Sequence, residues 1–154
     1  VSDSVFKQLK PYRNIKQKNI VIEFVELKTA DTTDLIRING IGSYYAKQII
    51  SRREKLGGFV FPEQLLEIYG IDSVRYDQFK HRIKVDETAI HKINLNTVTA
   101  SVLSKHPYFD TRVASNIIKL RKQKGEIKTL DELVAEEIIT RQQADKIKAY
   151  VIFE

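Results

Sequence analysis

The residues with the clearest chemical potential are Gly40 and Gly42, which stand two positions apart around Ile41. Because glycine has no side chain to shield the backbone, a turn built from such residues can expose several N–H groups. A helix is predicted directly after this turn, and N–H groups at the positive end of a helix dipole bind phosphate. The alternative is a tight helix-to-helix turn without a ligand, because short glycine motifs also arise by chance.

Two short helices are predicted to hold this turn. Apolar residues at helical spacing give each helix an inner face, with Leu35, Ile36 and Ile38 in the first and Ala46, Ile49 and Ile50 in the second. Ile41 at the apex can then point back between the helices as an apolar plug, and both glycines can take a positive φ. Ser43 is expected to cap or begin the second helix.

The sequence repeats itself after 68 residues. Without any gap, identical residues fall on each other at Leu27 and Leu95, at Leu35 and Leu103, and at Gly57 and Gly125, each an offset of 68. A second hairpin is predicted within each copy. The four hairpin apices then carry Ile41, Ile71, Phe109 and Ile139.

The pattern around the first hairpin resembles the helix-hairpin-helix motif of DNA-binding proteins. The resemblance implies that backbone amides of the turn, at Gly40, Ile41, Gly42 and Ser43, contact a phosphate of the DNA backbone whatever the base sequence. It also implies that Lys47 is the nearest basic side chain, with Asn39 in the turn. Tyr44 flanks the hairpin at an exposed position of the helical pattern and is a candidate for stacking on nucleic acid. In that family a monovalent cation sometimes assists, so the carbonyls of Ile38 and Gly40 are candidate ligands for K⁺ or Na⁺.

Over nearly the whole chain, the paired hairpins and the phrase Leu95-Asn96-Thr97 resemble the ComEA-like family, which binds DNA in bacterial natural competence. The resemblance implies an all-α fold of tandem, SAM-like five-helix bundles. Residues 1–18 are then expected to be the end of a preceding truncated repeat, residues 19–85 a first double-hairpin unit and residues 86–154 a second. Segments 19–26 and 90–95 are expected to be extended linkers that either pair with each other or pack on the helices.

The other three hairpins depart from the phosphate-binding pattern. Asp72 replaces the later glycine of the second hairpin and is expected to cap its helix, where its carboxylate repels a phosphate. The third hairpin, 108–110, has lost both glycines, and the fourth carries Glu136 and Glu137 beside its turn. Phosphate binding is therefore predicted at the first hairpin alone, with the others serving packing.

The charge of the chain favours acidic partners. A net charge of +6 and a sequence pI near 9.4 point to nucleic acid first and anionic membrane surfaces second. Supporting cations are predicted around the first hairpin and along its second helix, at Arg37, Arg52, Arg53 and Lys55. The alternative for such clusters is a solvated helix C-terminus, and the matching repeat positions of Arg53 and Arg121 favour a structural contact.

Catalysis is not expected from this sequence. The chain has no cysteine, and its three histidines, His81, His91 and His106, show no metal-ligand spacing. No nucleophile motif or phosphate-binding loop of an enzyme is present. We therefore predict no catalytic residue, and no cofactor besides the monovalent cation.

The compartment is left open by the sequence. No apolar run is long enough to span a membrane. Because the chain starts at Val1 and contains no Met, we expect it to be part of a longer protein whose N-terminal segment is missing. The resemblance implies a bacterial protein, which such a segment could anchor in a membrane or direct to the periplasm.

Two functions from different classes fit these observations. The first is non-catalytic, sequence-independent binding of double-stranded DNA, in DNA uptake or repair. The second is a helical module for protein–protein interaction or scaffolding, in which the hairpins have lost phosphate binding.

Overall fold

The computed structural model describes residues 23–154, and within them helices dominate. The all-α prediction is confirmed. The expected remnant of a preceding repeat, residues 1–18, and the first part of the expected linker, residues 19–22, lie outside the described residues. The unit boundaries expected at 19–85 and 86–154 stay predictions.

The N-terminal unit holds three α-helices, two short 3-10 helices and two very short strands. In chain order these are β1 (Val25–Glu26), α1 (Thr32–Ile36), α2 (Ser43–Leu56), a 3-10 helix (Pro62–Glu67), α3 (Ser73–Phe79), a 3-10 helix (Lys80–Arg82) and β2 (Ile83–Lys84).

The C-terminal unit follows a similar plan after a 3-10 turn at Glu87–Ala89. Its elements are β3 (Ile93–Asn94), α4 (Ala100–Leu103), α5 (Thr111–Lys124), α6 (Leu130–Ala135), α7 (Arg141–Ile147), a 3-10 helix (Lys148–Tyr150) and β4 (Val151–Ile152). Counting both helix types, each unit therefore has five helical segments, as expected. Among residues 23–154, no helix combines the length and apolar content needed to cross a membrane.

Each unit is closed by a parallel pairing between its first and its last strand. Val25 pairs with Ile83 in the N-terminal unit, and Ile93 pairs with Val151 in the C-terminal unit. For residues 23–26 and 90–95, the option that the two extended segments pair with each other is wrong. Each segment finds its partner within its own unit, because the helices between them bring the two ends of that unit side by side.

Two equivalent arginines tie the closing strands to the long helices. Arg53 on α2 donates through Nη1 to the carbonyls of Leu27 (2.8 Å) and Ala30 (2.7 Å). Arg121 on α5 makes the same two contacts one repeat later, to the carbonyls of Leu95 (3.0 Å) and Val98 (2.7 Å). Both guanidiniums satisfy carbonyls in the turns that follow the first strand of each unit.

Each unit has its own hydrophobic core, and both cores are built from the apolar residues of the repeat. The hairpin plugs lie inside them, since Ile41, Ile71, Phe109 and Ile139 are all buried. The role predicted for these four residues is confirmed. Burying each apex between its two helices fixes where the following helix begins.

The two units meet through a polar joint, which comprises Gln64, Glu67, His106, Tyr108 and Tyr150. The buried Gln64 donates through Nε2 to the hydroxyls of Tyr108 and Tyr150, both at 2.8 Å. The Tyr150 hydroxyl in turn donates to the carbonyl of Gly58 at 2.8 Å, and the Tyr108 hydroxyl donates to Glu67 at 2.8 Å. These bonds connect the third hairpin and the end of the C-terminal unit to the middle of the N-terminal unit.

Glu67 is the charged centre of the joint. It pairs with Arg52 at 2.7 Å and with Lys146 at 3.2 Å. Burial raises the pKa of this carboxyl, but the bonds from Arg52, Tyr108 and Lys146 outweigh burial and hold the pKa below its usual range. The same burial raises the pKa of the Tyr108 hydroxyl, which therefore stays protonated and can donate.

His106 contributes both ring nitrogens to the joint. It is 4% exposed, and its Nε2 donates to the carbonyl of Leu56 at 2.9 Å. Its Nδ1 accepts from the backbone N–H of Tyr108 at 3.1 Å, so the ring is held as the neutral tautomer. Burial, assisted by the charge of Arg52, lowers the pKa of this imidazole.

We expect Arg53→Ala to lower the free energy of unfolding by about 2 kcal/mol, because it leaves two carbonyls without a charged donor. Urea unfolding followed by circular dichroism measures the change. The exposed Lys55→Ala is the matched control on the same helix and should shift the free energy by less than about 0.5 kcal/mol. Equal effects of the two substitutions would contradict the structural role of Arg53.

We expect His106 to stabilise the fold less at acid pH. Because its pKa is lowered in the folded state, its contribution is complete above the ordinary histidine pKa of about 6.5. It declines as the pH falls below that value and is lost once the pH falls through the lowered pKa of the folded state, since the unfolded chain takes up the proton first. Urea unfolding of the wild type and of His106→Gln at about pH 8 and about pH 5 tests this. The stability gap between them should narrow at the lower pH, and a constant gap would contradict the prediction.

Candidate nucleic-acid interface

The first hairpin joins α1 to α2 through a short turn. The turn is held by two backbone bonds, from Ile38 N–H to the Leu35 carbonyl at 3.0 Å and from Ile41 N–H to the Ile38 carbonyl at 3.1 Å. Ile41 then points into the core with 3% of its surface exposed. The residues on either side of this plug are therefore pushed to the surface.

The two glycines of this turn do different things. Gly40 has φ +99°, and a Cβ there would lie 3.2 Å from Gln78 Oε1 and 3.4 Å from Phe79 Cδ1. Gly42 has φ −89° and ψ −178°, which any residue can adopt, and a Cβ there would meet nothing within 4 Å. The expectation of a positive φ at both glycines is wrong for Gly42. The fold requires glycine at position 40 but not at position 42.

Gly42 leaves the start of α2 without a side-chain cap. It occupies the N-cap position and offers no oxygen to the helix, and Ser43 begins α2 as its first residue, as expected. Within residues 23–154, no group accepts a hydrogen bond from the backbone N–H of Ser43, Tyr44 or Tyr45. The first turn of a helix exposes N–H groups that need an acceptor from outside the helix. These three groups are therefore available to an anion.

The other three hairpins fill the same position with a capping side chain. Asp72 accepts from the N–H of Arg75 at 2.8 Å, as the sequence predicted. Asp110 accepts from Val113 N–H at 2.7 Å, and Thr140 accepts from Gln143 N–H at 3.1 Å. Among the hairpins that the structure describes, the first is thus the one whose second helix starts uncapped.

The third hairpin has a further reason to lack glycine. Tyr108 stands one repeat after Gly40 and carries the hydroxyl that binds Gln64 and Glu67 in the joint. The tip of this hairpin therefore packs on the N-terminal unit. Its loss of the glycine pattern follows from that contact.

Several predicted site residues surround the uncapped helix start. Asn39 and Arg37 are exposed just before the turn, and Lys47 is exposed one helical turn after Ser43. Tyr44 is 58% exposed and lies edge-on to Tyr45, with ring centroids 5.3 Å apart. Tyr45 is partly buried.

The prediction of supporting cations along α2 needs correction. Arg52 is paired with Glu67 at 2.7 Å, and Arg53 donates to the carbonyls of Leu27 and Ala30. Neither guanidinium is a free cation beside the turn. Lys55 is exposed, but it lies twelve residues after Ser43, about 18 Å along the helix. The repeat symmetry of Arg53 and Arg121 was the signal for a structural role.

The two carbonyls expected to hold K⁺ or Na⁺ each accept a hydrogen bond from another part of the chain. The Ile38 carbonyl accepts from Ile41 N–H, and the Gly40 carbonyl accepts from Nη1 of Arg75 at 3.3 Å. A guanidinium at this carbonyl repels a metal cation. This guanidinium therefore disfavours the expected monovalent cation at the Gly40 carbonyl. Within residues 23–154, no group of three His, Asp or Glu side chains is arranged to hold a metal ion.

Arg75 was missed by the sequence reasoning. It comes from the second hairpin, and its guanidinium lies over the ring of Tyr45 at 4.5 Å from the centroid. One signal for it is present in the sequence. A shift of 30 residues superposes the second hairpin on the first, Ile71 on Ile41, and puts Arg75 at the position of Tyr45.

Comparison with known proteins agrees with this geometry. A family model for the helix-hairpin-helix motif matches residues 21–84 and again residues 88–152. The endonuclease/exonuclease/phosphatase family domain-containing protein 1 of Xenopus laevis is 27% identical over 156 residues, which is 86% of this chain and 28% of the relative. Its human counterpart is 23% identical, with 88% of this chain and 29% of the relative covered.

A bacterial relative is shorter. An uncharacterized protein of Haemophilus influenzae is 34% identical over 65 residues, which is 42% of this chain and 58% of the relative. No solved structure matches the chain. The chain spans less than a third of the length of the vertebrate relatives.

These relatives do not carry the narrower ComEA-like resemblance, which stays a prediction. The family model, in contrast, covers both units and their four hairpins. Its motif indicates nucleic-acid binding, in keeping with the uncapped start of α2. The chain therefore belongs to the helix-hairpin-helix family.

Proposed function

We propose that the chain is a non-catalytic module that binds double-stranded DNA independently of its base sequence. The observation that carries the proposal is the uncapped start of α2, where the N–H groups of Ser43, Tyr44 and Tyr45 have no acceptor within residues 23–154. A phosphate oxygen supplies the missing acceptor and is favoured by the dipole of a 14-residue helix. Contacts of this kind position DNA but do not read its bases.

The turn residues support this contact in different ways. Gly40 and Ile41 shape the turn, Gly42 leaves room for the phosphate, and Asn39 lies at its exposed edge. The cations that remain near the site are Arg37 and Lys47. We therefore leave Arg52 and Arg53 out of the proposed DNA surface, and Lys55 could reach only a more distant phosphate.

Electrostatics provide the rest of the affinity. A chain of net charge +6 attracts the DNA backbone, and each phosphate that it neutralises steepens the dependence of affinity on salt by about 0.9 in the log–log slope. One hairpin contact with two nearby cations therefore gives weak binding with a slope of about −2 to −3. Tighter binding needs several such modules side by side.

The relatives suggest the setting of this module. They are named for an endonuclease/exonuclease/phosphatase family domain, and the present chain matches less than a third of their length. We propose that the unit expected at residues 19–85 holds DNA for a partner domain that acts on phosphate esters. A role in DNA uptake or repair stays a prediction from the resemblance.

The competing proposal is a protein-interaction or scaffold module. It is favoured by the second hairpin, where Tyr69 is 93% exposed and Asp72 already fills the helix start. A large exposed aromatic residue is common in protein interfaces. Duplex titration of the wild type separates the two, because only the DNA module predicts an affinity that falls with salt.

We expect Gly42→Asp to abolish most DNA binding without harming the fold. The backbone at Gly42 (φ −89°, ψ −178°) matches that of Asp72 (φ −88°, ψ 178°), so the new carboxylate can cap α2 as Asp72 caps α3. It then fills the site and repels the phosphate. Affinity for a random-sequence duplex, measured by fluorescence anisotropy at low salt, should fall about tenfold or more. The melting temperature should stay equal or rise slightly, since an Asp cap exceeds a Gly cap by a few tenths of a kcal/mol.

Two matched variants control this experiment. Gly42→Ala adds a methyl group where a Cβ meets nothing within 4 Å, so it should keep the fold and more of the affinity than Gly42→Asp. Thr140→Asp places the same new carboxylate at the cap of the fourth hairpin and should change affinity by less than about threefold. A folded Gly42→Asp that binds as tightly as the wild type would overturn the proposed function. Equal losses in Thr140→Asp would reduce the effect to net charge.

A further inference from the structure

The two hairpins of the N-terminal unit are latched to each other at equivalent positions. The hydroxyl of Tyr45 donates to the carbonyl of Gly70 at 3.3 Å, and Nη1 of Arg75 donates to the carbonyl of Gly40, also at 3.3 Å. Tyr45 and Arg75 are 30 residues apart, as are Gly40 and Gly70. Each hairpin glycine is thus held by the third residue of the other hairpin's second helix.

The two halves of this latch differ in charge. Tyr45 is neutral, whereas Arg75 places a permanent positive charge at the turn that precedes α2. None of the ion pairs found within residues 23–154 includes Arg75. Within the part of the chain that the structure describes, the carboxylate bonded to this residue is that of Asp72, which accepts from the Arg75 backbone N–H. Among these residues, the guanidinium therefore has no carboxylate partner.

The guanidinium of Arg75 is held by contacts with the first hairpin. It lies 4.5 Å from the centroid of the Tyr45 ring and is partly buried between the two hairpins. Gly40 and Ser43 are three residues apart, so the bonded carbonyl lies at most about 11 Å from the N–H of Ser43, the first exposed N–H group of α2. Of the five N–H donors of an arginine, one is used at Gly40. The others can face a phosphate that approaches the turn.

We propose that Arg75 is the built-in cation of the phosphate site. It holds Gly40, and with it the uncapped start of α2, and it neutralises the phosphate that binds there. The inference rests on the proposed function and adds to it that binding needs no monovalent metal ion at the hairpin carbonyls. A lysine could supply the charge, but it lacks the planar fork that stacks on Tyr45 while donating to a carbonyl.

The first experiment uses the wild-type chain. Its affinity for a random-sequence duplex is measured in KCl, NaCl and tetramethylammonium chloride at equal ionic strength. The tetramethylammonium ion cannot be coordinated by carbonyls, so it tests whether a metal ion is required. Because Arg75 supplies the charge, we expect affinities that agree within about twofold. A loss of more than about fivefold in tetramethylammonium would overturn the proposal.

The second experiment removes the charge. Arg75→Gln should weaken duplex binding by about fivefold to tenfold and reduce the salt slope by about one unit, because one cation near the phosphate is lost. Arg75→Lys keeps the charge without the stacking and should lie between Arg75→Gln and the wild type. Arg112→Gln is the matched control, since this exposed arginine stands on the third hairpin, whose helix Asp110 already caps. It should change affinity by less than about twofold.

The outcomes distinguish this inference from the proposed function. If Gly42→Asp weakens binding while Arg75→Gln, folded by circular dichroism, binds like the wild type, the hairpin is the site but Arg75 is not its cation. If Gly42→Asp also binds like the wild type, both proposals are wrong. Should Arg75→Gln fail to fold, a loss of affinity in tetramethylammonium would still overturn the inference, and Arg75→Lys measures the contribution of the stacked guanidinium.

Discussion

The burial of one apolar residue at each hairpin apex is the constraint on which the rest of the structure depends. Ile41, Ile71, Phe109 and Ile139 are all enclosed between the helices that they join. Once an apex is buried, the next residue must be the N-cap of the following helix, and its side chain decides what the helix start binds. Packing therefore fixes the geometry of all four hairpins and leaves their chemistry to a single position.

That single position separates one hairpin from the other three. With Asp72, Asp110 or Thr140 at the cap, the protein satisfies its own helix start. With Gly42 it does not, and the exposed N–H groups remain for a ligand. The tip of the third hairpin is also part of the joint between the units, because its Tyr108 donates to Glu67. The four similar hairpins thus differ in role, with the first as the proposed binding site and the third as part of the joint between the units.

The sequence predicted what depends on local pattern. The repeat, the buried plugs, the start of α2 at Ser43 and the capping by Asp72 all follow from spacing and residue type, and the structure confirms them. The hydrogen-bond partners of Arg52, Arg53 and Arg75 could not be predicted from local spacing and residue type. Each depends on an acceptor 15 to 35 residues away, at Glu67, Leu27 or Gly40, and a long side chain reaches it only after the fold brings the two together. The partner of β1 was missed for the same reason, because pairing with Ile83 needs the whole unit in between.

The parallel pairs that close the units also determine how each unit would bear mechanical load. Since β1 and β2 run side by side in the same direction, the chain enters the N-terminal unit at one end of this strand pair and leaves it at the other. Tension along the chain pulls the start of β1 and the end of β2 in opposite directions along the strand axis. It therefore loads the hydrogen bonds of the strand pair together, in shear. The helices in between bear load only after the two strands have separated.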